Sequence, residues 1–359
     1  MYRCGSCGRD YPETAGAPWR CECGHALDFA DPPRPDHPSP PTLDRDRGLW
    51  AFEDFLPVPR RVTLGEGWTP LVDAPGWDAA FKLDSLFPTG SFKDRGAATV
   101  VSHALALGVD RLVEDSSGNA GHAIATYAAR AGLDAAIYTP ADAKPAKLRA
   151  IERTGADLVR VEGDRGDVTD ACRRAVTDGE GWYASHAWQP AFFAGTATVG
   201  MEIAAQRGWT VPDVVVTPVG HGTLLLGAYR GFRALREAGW TDAVPRLVGV
   251  QAAGTAPLVA TRHGEDAAAG DNDAADGIQI ADPAREEQIL AAIESTDGDA
   301  VAVDRAATEA AGERLDRAGF SVEPTCAVGP AALSELRERG LVGPDEDVVV
   351  ALTGSGLKA

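Results

Sequence analysis

The sequence predicts an α/β protein built on parallel-rich sheets, and two observations carry that prediction. Short apolar runs of strand length alternate with alanine-rich amphipathic stretches along most of the 359 residues; this is the pattern of parallel sheets covered by helices. Glycine-rich turns follow several of the runs, at the edge where such folds place ligands.

Taken in order, residues 1–29 form a small cysteine-bearing module. Residues 30–45, from Ala30 through Asp31-Pro32-Pro33-Arg34-Pro35 to Pro40-Pro41 and beyond, read as a proline-dense linker, extended and poor in helix. Strands are expected at Arg111–Asp115, Ala135–Thr139, Asp157–Val161, Val214–Pro218, Leu247–Val250 and Val348–Leu352. Helices are expected at 97–107, 119–132, 144–154, 194–206, 222–238, 305–318 and 327–339. The acidic, weakly patterned stretch 264–282 reads as a surface loop or mobile flap.

Composition narrows the function. With 44% hydrophobic and 24% charged residues the chain is ordinary globular protein, and its length suits about two domains. No apolar run approaches the ~18 residues of a membrane span. No apolar core follows Met1-Tyr2-Arg3-Cys4, so no signal peptide is expected and the reading is a soluble, cytoplasmic protein. Asp and Glu number 53 against 34 Lys and Arg, a net charge of -19. A field of that sign repels nucleic acid and anionic membranes. Lysine occurs only at Lys82, Lys93, Lys144, Lys147 and Lys358; an acidic surface poor in lysine suits a high-salt, halophilic cytoplasm, where screening weakens self-repulsion.

Four segments carry candidate chemistry. In Pro88-Thr89-Gly90-Ser91-Phe92-Lys93-Asp94-Arg95-Gly96 a glycine turn leads into a helix. The positive end of the helix dipole favours the neutral amine of Lys93, the form that Schiff-base chemistry needs. In Ser116-Ser117-Gly118-Asn119 hydroxyls and helix N-terminal amides together suit a carboxylate; simple N-capping is the plainer use of the same residues. In Gly220-His221-Gly222-Thr223-Leu224 backbone amides suit a phosphate, although the dinucleotide fingerprint and the P-loop lysine are both missing. In Thr353-Gly354-Ser355-Gly356 a buried strand ends on a hydroxyl and a glycine turn.

The order of these four segments resembles the fold-type II pyridoxal 5′-phosphate (PLP) enzymes, and most closely the threonine synthase family. Gly65-Glu66-Gly67-Trp68-Thr69-Pro70-Leu71 is similar to that family's Gly-Glu-Gly-x-Thr-Pro-Leu, and Thr353–Lys358 to its terminal motif, with Ser355 in place of histidine. The resemblance spans roughly residues 60–359. It implies two three-layer αβα domains with parallel-rich sheets: a large PLP-binding domain over 60–92 and 187–359, and a small α/β domain over 93–186. A linker over 30–59 and a zinc-ribbon-like module over 1–29 precede them.

The resemblance also implies roles. Lys93 would hold PLP as a Schiff base and act as general acid and base; Asn119 would bond the ring hydroxyl. Gly220, His221, Gly222, Thr223 and Leu224 would hold the phosphate, and Thr353 would face the pyridine nitrogen. Ser116, Ser117 and Gly118, with Arg95 and Lys147 as positive charges, would bind substrate. The family's substrate is O-phospho-L-homoserine, which water converts to L-threonine and phosphate. Here Phe192 stands where the family carries an arginine, and His186-Ala187 where it carries Asn-Ser. Losing a bidentate guanidinium removes strong, charge-assisted bonds to phosphate. His122 and Trp188 are expected to reshape that pocket.

Four of the six cysteines, Cys4, Cys7, Cys21 and Cys23, fall within the first 23 residues. Four thiolates in two knuckle-like pairs suit a structural zinc, with His25 able to replace one of them. A module this short has little core without a staple. Cys172 and Cys326 read as small buried residues. The expected protein is therefore a threonine synthase-like PLP lyase acting on a small amino acid, with a homodimer as the expected assembly. The alternatives are a threonine or serine dehydratase or another β-replacement enzyme, and a non-catalytic PLP or amino-acid sensor.

Overall fold

The computed structural model describes residues 1–143 and 145–358, without the side chains of Ala146 and Lys147. The chain divides into two compact units. The first comprises Met1–Pro35, Thr42–Gly67 and Lys93–Thr196; the second comprises Asp36–Pro41, Trp68–Phe92 and Ala197–Ala359.

The first unit holds a parallel four-stranded sheet in the order Asp157–Val161, Asp134–Pro140, Arg111–Glu114, Trp182–Tyr183. Val113, Ala136, Tyr138 and Tyr183 bury one face against Val168, Cys172 and Ala175, which lie on the helix Arg165–Thr177. That helix starts on a reciprocal capping box between Asp164 and Asp167. The helix Asn119–Ala131 ends where Gly132 turns left-handed and its amide reaches back to Ala128 and Ala129.

The cysteine module belongs to this unit. It is a three-stranded antiparallel sheet in the order Asp10–Tyr11, Tyr2–Cys4, Leu27–Phe29. Its small core of Tyr2, Tyr11 and Leu27 includes Cys4 and Cys21. The Tyr2 hydroxyl lies 2.5 Å from Nε2 of His103, on the helix Lys93–Ala106.

The second unit holds a six-stranded sheet in the order Asp299–Val303, Arg246–Ala252, Val214–Pro218, Val348–Ala351, Ala79–Lys82, Leu71–Ala74. All neighbours are parallel except the last pair. The central strands are valine-rich and buried on both faces, as a helix-covered parallel sheet requires. Each buried valine contributes about 1.5–3 kcal/mol. Behind the sheet Lys82 and Glu202 form an ion pair of 2.7 Å with both side chains wholly buried. The ammonium also donates to the Thr69 carbonyl and to Gln206 Oε1.

The expected strands and helices recur in the structure with shifts of a few residues at their ends. The stretch 264–282 is largely exposed, as expected of a surface loop, but it is pinned at several points. Ala268, Ala275, Ile278 and Ile280 are buried, and Asn272 donates to the Val303 carbonyl and Thr308 Oγ1. From Ala268 to Ile278 its buried residues fall three or four apart across a short helix and an irregular 3₁₀ turn, while the intervening acids face solvent. The structure also adds a 3₁₀ helix at Arg45–Phe55 that buries Leu49, Trp50, Phe52 and Phe55. Among the described residues no helix is long and apolar enough to cross a membrane.

Candidate active site

The lysine motif is held by the terminal motif. Ser91 bridges Gly354, and the amide of Phe92, the residue before Lys93, donates to the Thr353 carbonyl at 3.0 Å. Gly90 is left-handed, with φ +74°, a conformation that favours glycine, and a Cβ there would also crowd the Lys358 stem at 3.2 Å.

The helix Lys93–Ala106 begins at Lys93 itself. The residue is half-buried, and surrounding protein lowers its pKa from 10.5 to about 7, chiefly by desolvation. Glu114 opposes the shift and Arg165 adds to it. Burial, rather than the helix dipole the sequence suggested, is the leading cause. Arg95, two residues on, is wholly buried in the same helix. The side chain of Lys147 lies outside the described residues.

Glu66 of the Gly65-Glu66-Gly67 segment is a hub. Its buried carboxylate accepts from Trp50 Nε1 at 2.9 Å, the Leu64 amide at 2.7 Å, the Tyr127 hydroxyl at 3.0 Å and Thr63 Oγ1. Tyr127 lies on the helix that Asn119 opens, so the segment steadies that helix.

That helix has Gly118 at its N-cap position, a residue with no side chain of its own to cap with. Ser116 Oγ instead accepts from the Gly118 amide at 3.3 Å. A Cβ at Gly121 would stand 1.8 Å from the Ser116 carbonyl, so the turn and helix meet only because residue 121 is glycine.

In the second unit the helix Thr223–Glu237 starts at left-handed Gly222, again with no side-chain cap. Gly220, Gly222, Thr223 and Leu224 are buried and His221 half-buried. First-turn amides without an intrahelical partner form a ready anion site. Thr353 is buried, and its Oγ1 lies 3.3 Å from Cys326 Sγ. Cys326 also accepts from the Gly354 amide at 3.0 Å, so this cysteine fixes the terminal turn. Lys93, Arg95 and Ser116–Asn119 thus belong to the first unit, and Gly220–Leu224 and Thr353 to the second.

The sequence reading missed Glu114 and Arg165. Glu114 is wholly buried, with Oε1 2.6 Å from Nδ1 of His186. The imidazole stands edge-on to Phe192, centroids 6.1 Å apart, and Lys93 Nζ lies 5.7 Å from the Phe192 centroid. Phe192 packs on the lysine helix so closely that a Cβ at Gly96 would fall 2.3 Å from its ring. Trp188, expected to shape a substrate pocket, meets Trp19 of the cysteine module edge-on and lies under Arg173. A glutamate at the end of an apolar strand is a polar residue at a sheet's ligand edge, the one local signal that could have found Glu114.

The sulfurs of Cys4, Cys7, Cys21 and Cys23 all lie within 4.8 Å of one another. Cys4–Cys23 and Cys7–Cys21 are 3.5 Å apart, near the ~3.8 Å edge of a tetrahedron with 2.3 Å metal–sulfur bonds. Both knuckles close alike, the Gly8 amide on the Cys4 carbonyl and the Gly24 amide on the Cys21 carbonyl. The quartet is complete without His25.

Comparison with known proteins agrees with this architecture. Residues 62–354 match the family described as pyridoxal-phosphate dependent enzyme. The chain is 34% identical over 324 residues to a threonine synthase of Methanosarcina acetivorans, covering 86% of this chain and 80% of that one. It is 32% identical over 378 residues to the threonine synthase of Methanocaldococcus jannaschii, covering 100% of this chain and 93% of that one. A T.th. threonine deaminase of solved structure superposes with a TM-score of 0.65 at 28% identity, over 80% of this chain and 92% of that one. With its lysine motif, glycine turns and sheets in the order described, the chain belongs to the pyridoxal-phosphate dependent enzymes and, among them, to the threonine synthase family.

Proposed function

We propose that the chain is a PLP-dependent carbon–oxygen lyase acting on a small amino acid, with Lys93 as the residue that bonds the cofactor. The observation that carries this is the Lys93 amine, held at about 7 by burial at the start of its helix; a lysine so placed is a nucleophile at neutral pH.

The residues present fit the cofactor. The amides of Gly220–Leu224, at a helix start whose N-cap is glycine, suit its phosphate, Asn119 its ring hydroxyl, and the Thr353 hydroxyl, beside Cys326, its pyridine nitrogen. When bound, PLP supplies an electron sink for the substrate's α-carbon. The chain supplies the rest: Lys93 moves the α-proton, and Ser116, Ser117 and Gly118 receive the substrate carboxylate at the turn that opens the helix. Four convergent thiolates support a structural zinc in the 1–29 module. A cytoplasmic, high-salt setting and a homodimer complete the reading.

The reaction that the relatives' name supports is conversion of O-phospho-L-homoserine and water to L-threonine and phosphate. A second reading, elimination from an unphosphorylated hydroxy amino acid, is favoured by Phe192, whose buried ring stands where the family carries an arginine. Purified protein reconstituted with PLP should turn yellow, and borohydride should fix the label on Lys93. Steady-state rates with O-phospho-L-homoserine, L-threonine and L-serine then separate the two readings. Protein that stays colourless and takes up no PLP rejects both.

A further inference from the structure

The cysteine module and the helix Arg165–Thr177 belong to one compact unit, and a cleft of about 780 Å³ lies between them. That size is ordinary for a small-molecule site. One wall is Trp19, Arg20 and the second cysteine knuckle; the other is the C-terminal half of the helix, with Arg173 and Arg174.

None of these three arginines makes a side-chain hydrogen bond among the described residues. Elsewhere arginines are tied to acids, as Arg111 is to Asp157 and Arg305 to Glu309. Arg173 is half-buried, and its guanidinium lies 5.0 Å from the Trp19 centroid and 5.9 Å from that of Trp188. Stacking on two indoles therefore holds it, with no acceptor. Its Nε–H is buried and unpartnered. The Asp170 carboxylate stands 3.8 Å from its Nη1, outside hydrogen-bond reach. Arg20 covers the same Trp19 ring at 4.6 Å, so one indole gathers two cations.

A guanidinium offers five donors in a planar fork, and a buried donor without an acceptor costs about 1–3 kcal/mol. A chain of net charge -19 has acids in plenty, yet these forks are left open. Of the three carboxylates in the lining, Glu22 is held by Arg9 and Asp178 stands at the helix C-cap. The negative helix end turns an anion away, so the receptive part of the cleft is the part around Trp19.

We propose that this cleft is a binding site for a small dianion bearing carboxylate or phosphate groups, gripped by the forks of Arg173 and Arg20 with Arg174 at the rim. Stacked guanidiniums keep their in-plane N–H edges free for paired, charge-assisted bonds to such groups. The site is independent of the chemistry at Lys93 and stands whether or not the lyase reading does.

The test uses full-length protein loaded with PLP and zinc, at the lowest salt that keeps it folded. Calorimetric titration with succinate and, separately, with inorganic phosphate should reveal one site per chain for at least one probe at millimolar concentration. Binding of succinate alone assigns the ligand as a carboxylate, and of phosphate alone as a phosphate ester. Arg173→Gln and Arg20→Gln should each weaken binding about 10-fold or more, while PLP content and turnover stay within about twofold. Should Arg173→Gln not fold, Arg20→Gln and Arg174→Gln, at exposed positions, carry the test. Binding of neither probe overturns the proposal. So does binding that these variants leave unchanged, which places the anion elsewhere.

Discussion

Trp19 of the cysteine module meets Trp188 edge-on, ring centroids 4.9 Å apart and planes at 80°. Arg20 and Arg173 lie over the Trp19 ring at 4.6 and 5.0 Å, and Tyr183 meets it at 5.5 Å. Trp188 is two residues from His186, which grips Glu114. The module also touches the lysine helix, through Tyr2 and His103. The cysteine module is thus packed, through Trp19 and Tyr2, on the Trp188 segment and on the helix that Lys93 opens.

Metal removal should therefore be felt beyond the module. Elemental analysis should find one zinc per chain in protein purified without chelator. Stripping it should change tryptophan emission and lower the melting temperature. Trp19→Ala should reduce stability by about 1–2 kcal/mol and raise the mobility of the 185–189 segment, read by hydrogen exchange. Full metal removal with unchanged emission would sever the link.

The lysine makes a pH prediction with a definite sign. A pKa lowered to about 7 leaves the neutral, nucleophilic amine in the majority above pH 7, where an ordinary lysine stays cationic until about 10.5. PLP capture by cofactor-free protein should accelerate through about pH 7 and then level off. Arg165 helps depress the pKa, so Arg165→Ala should move that midpoint to higher pH. Stopped-flow absorbance across pH 5.5–9 measures both.

Phe192→Arg tests the phosphate subsite. An unpaired guanidinium in place of a wholly buried ring should lower stability by about 3–5 kcal/mol. Inorganic phosphate should restore part of that in the variant and leave the natural protein unchanged. If the subsite is rebuilt, O-phospho-L-homoserine turnover rises relative to the natural chain. Thermal shifts with and without phosphate, then rates, decide it.

The second unit offers a pure stability test. Glu202→Ala strands the buried Lys82 ammonium and should cost about 3–5 kcal/mol, read by denaturant unfolding. Glu202→Gln, which keeps a hydrogen-bond acceptor, should cost less.

Local pattern alone made much of this legible. The valine-rich runs, the alanine-rich helices and the glycine turns between them are properties of neighbouring residues, and the sheets follow from their alternation. Cys4, Cys7, Cys21 and Cys23 lie close in sequence, so their convergence could be foreseen. Lys93 stood out because lysine is scarce and its turn opens a helix. Tertiary structure decided what joins distant positions. Glu114 and His186 are 72 residues apart, and their contact exists only because the strands Arg111–Glu114 and Trp182–Tyr183 pair in one register. Trp188 and Trp19 meet through docking of a module that no periodicity describes, and 264–282 is pinned by distant partners, Asn272 to Val303 and Thr308. The cause that sets Lys93 near pH 7 is likewise three-dimensional: desolvation sums over all the protein around an amine, and the local sequence shows only the helix on which it begins.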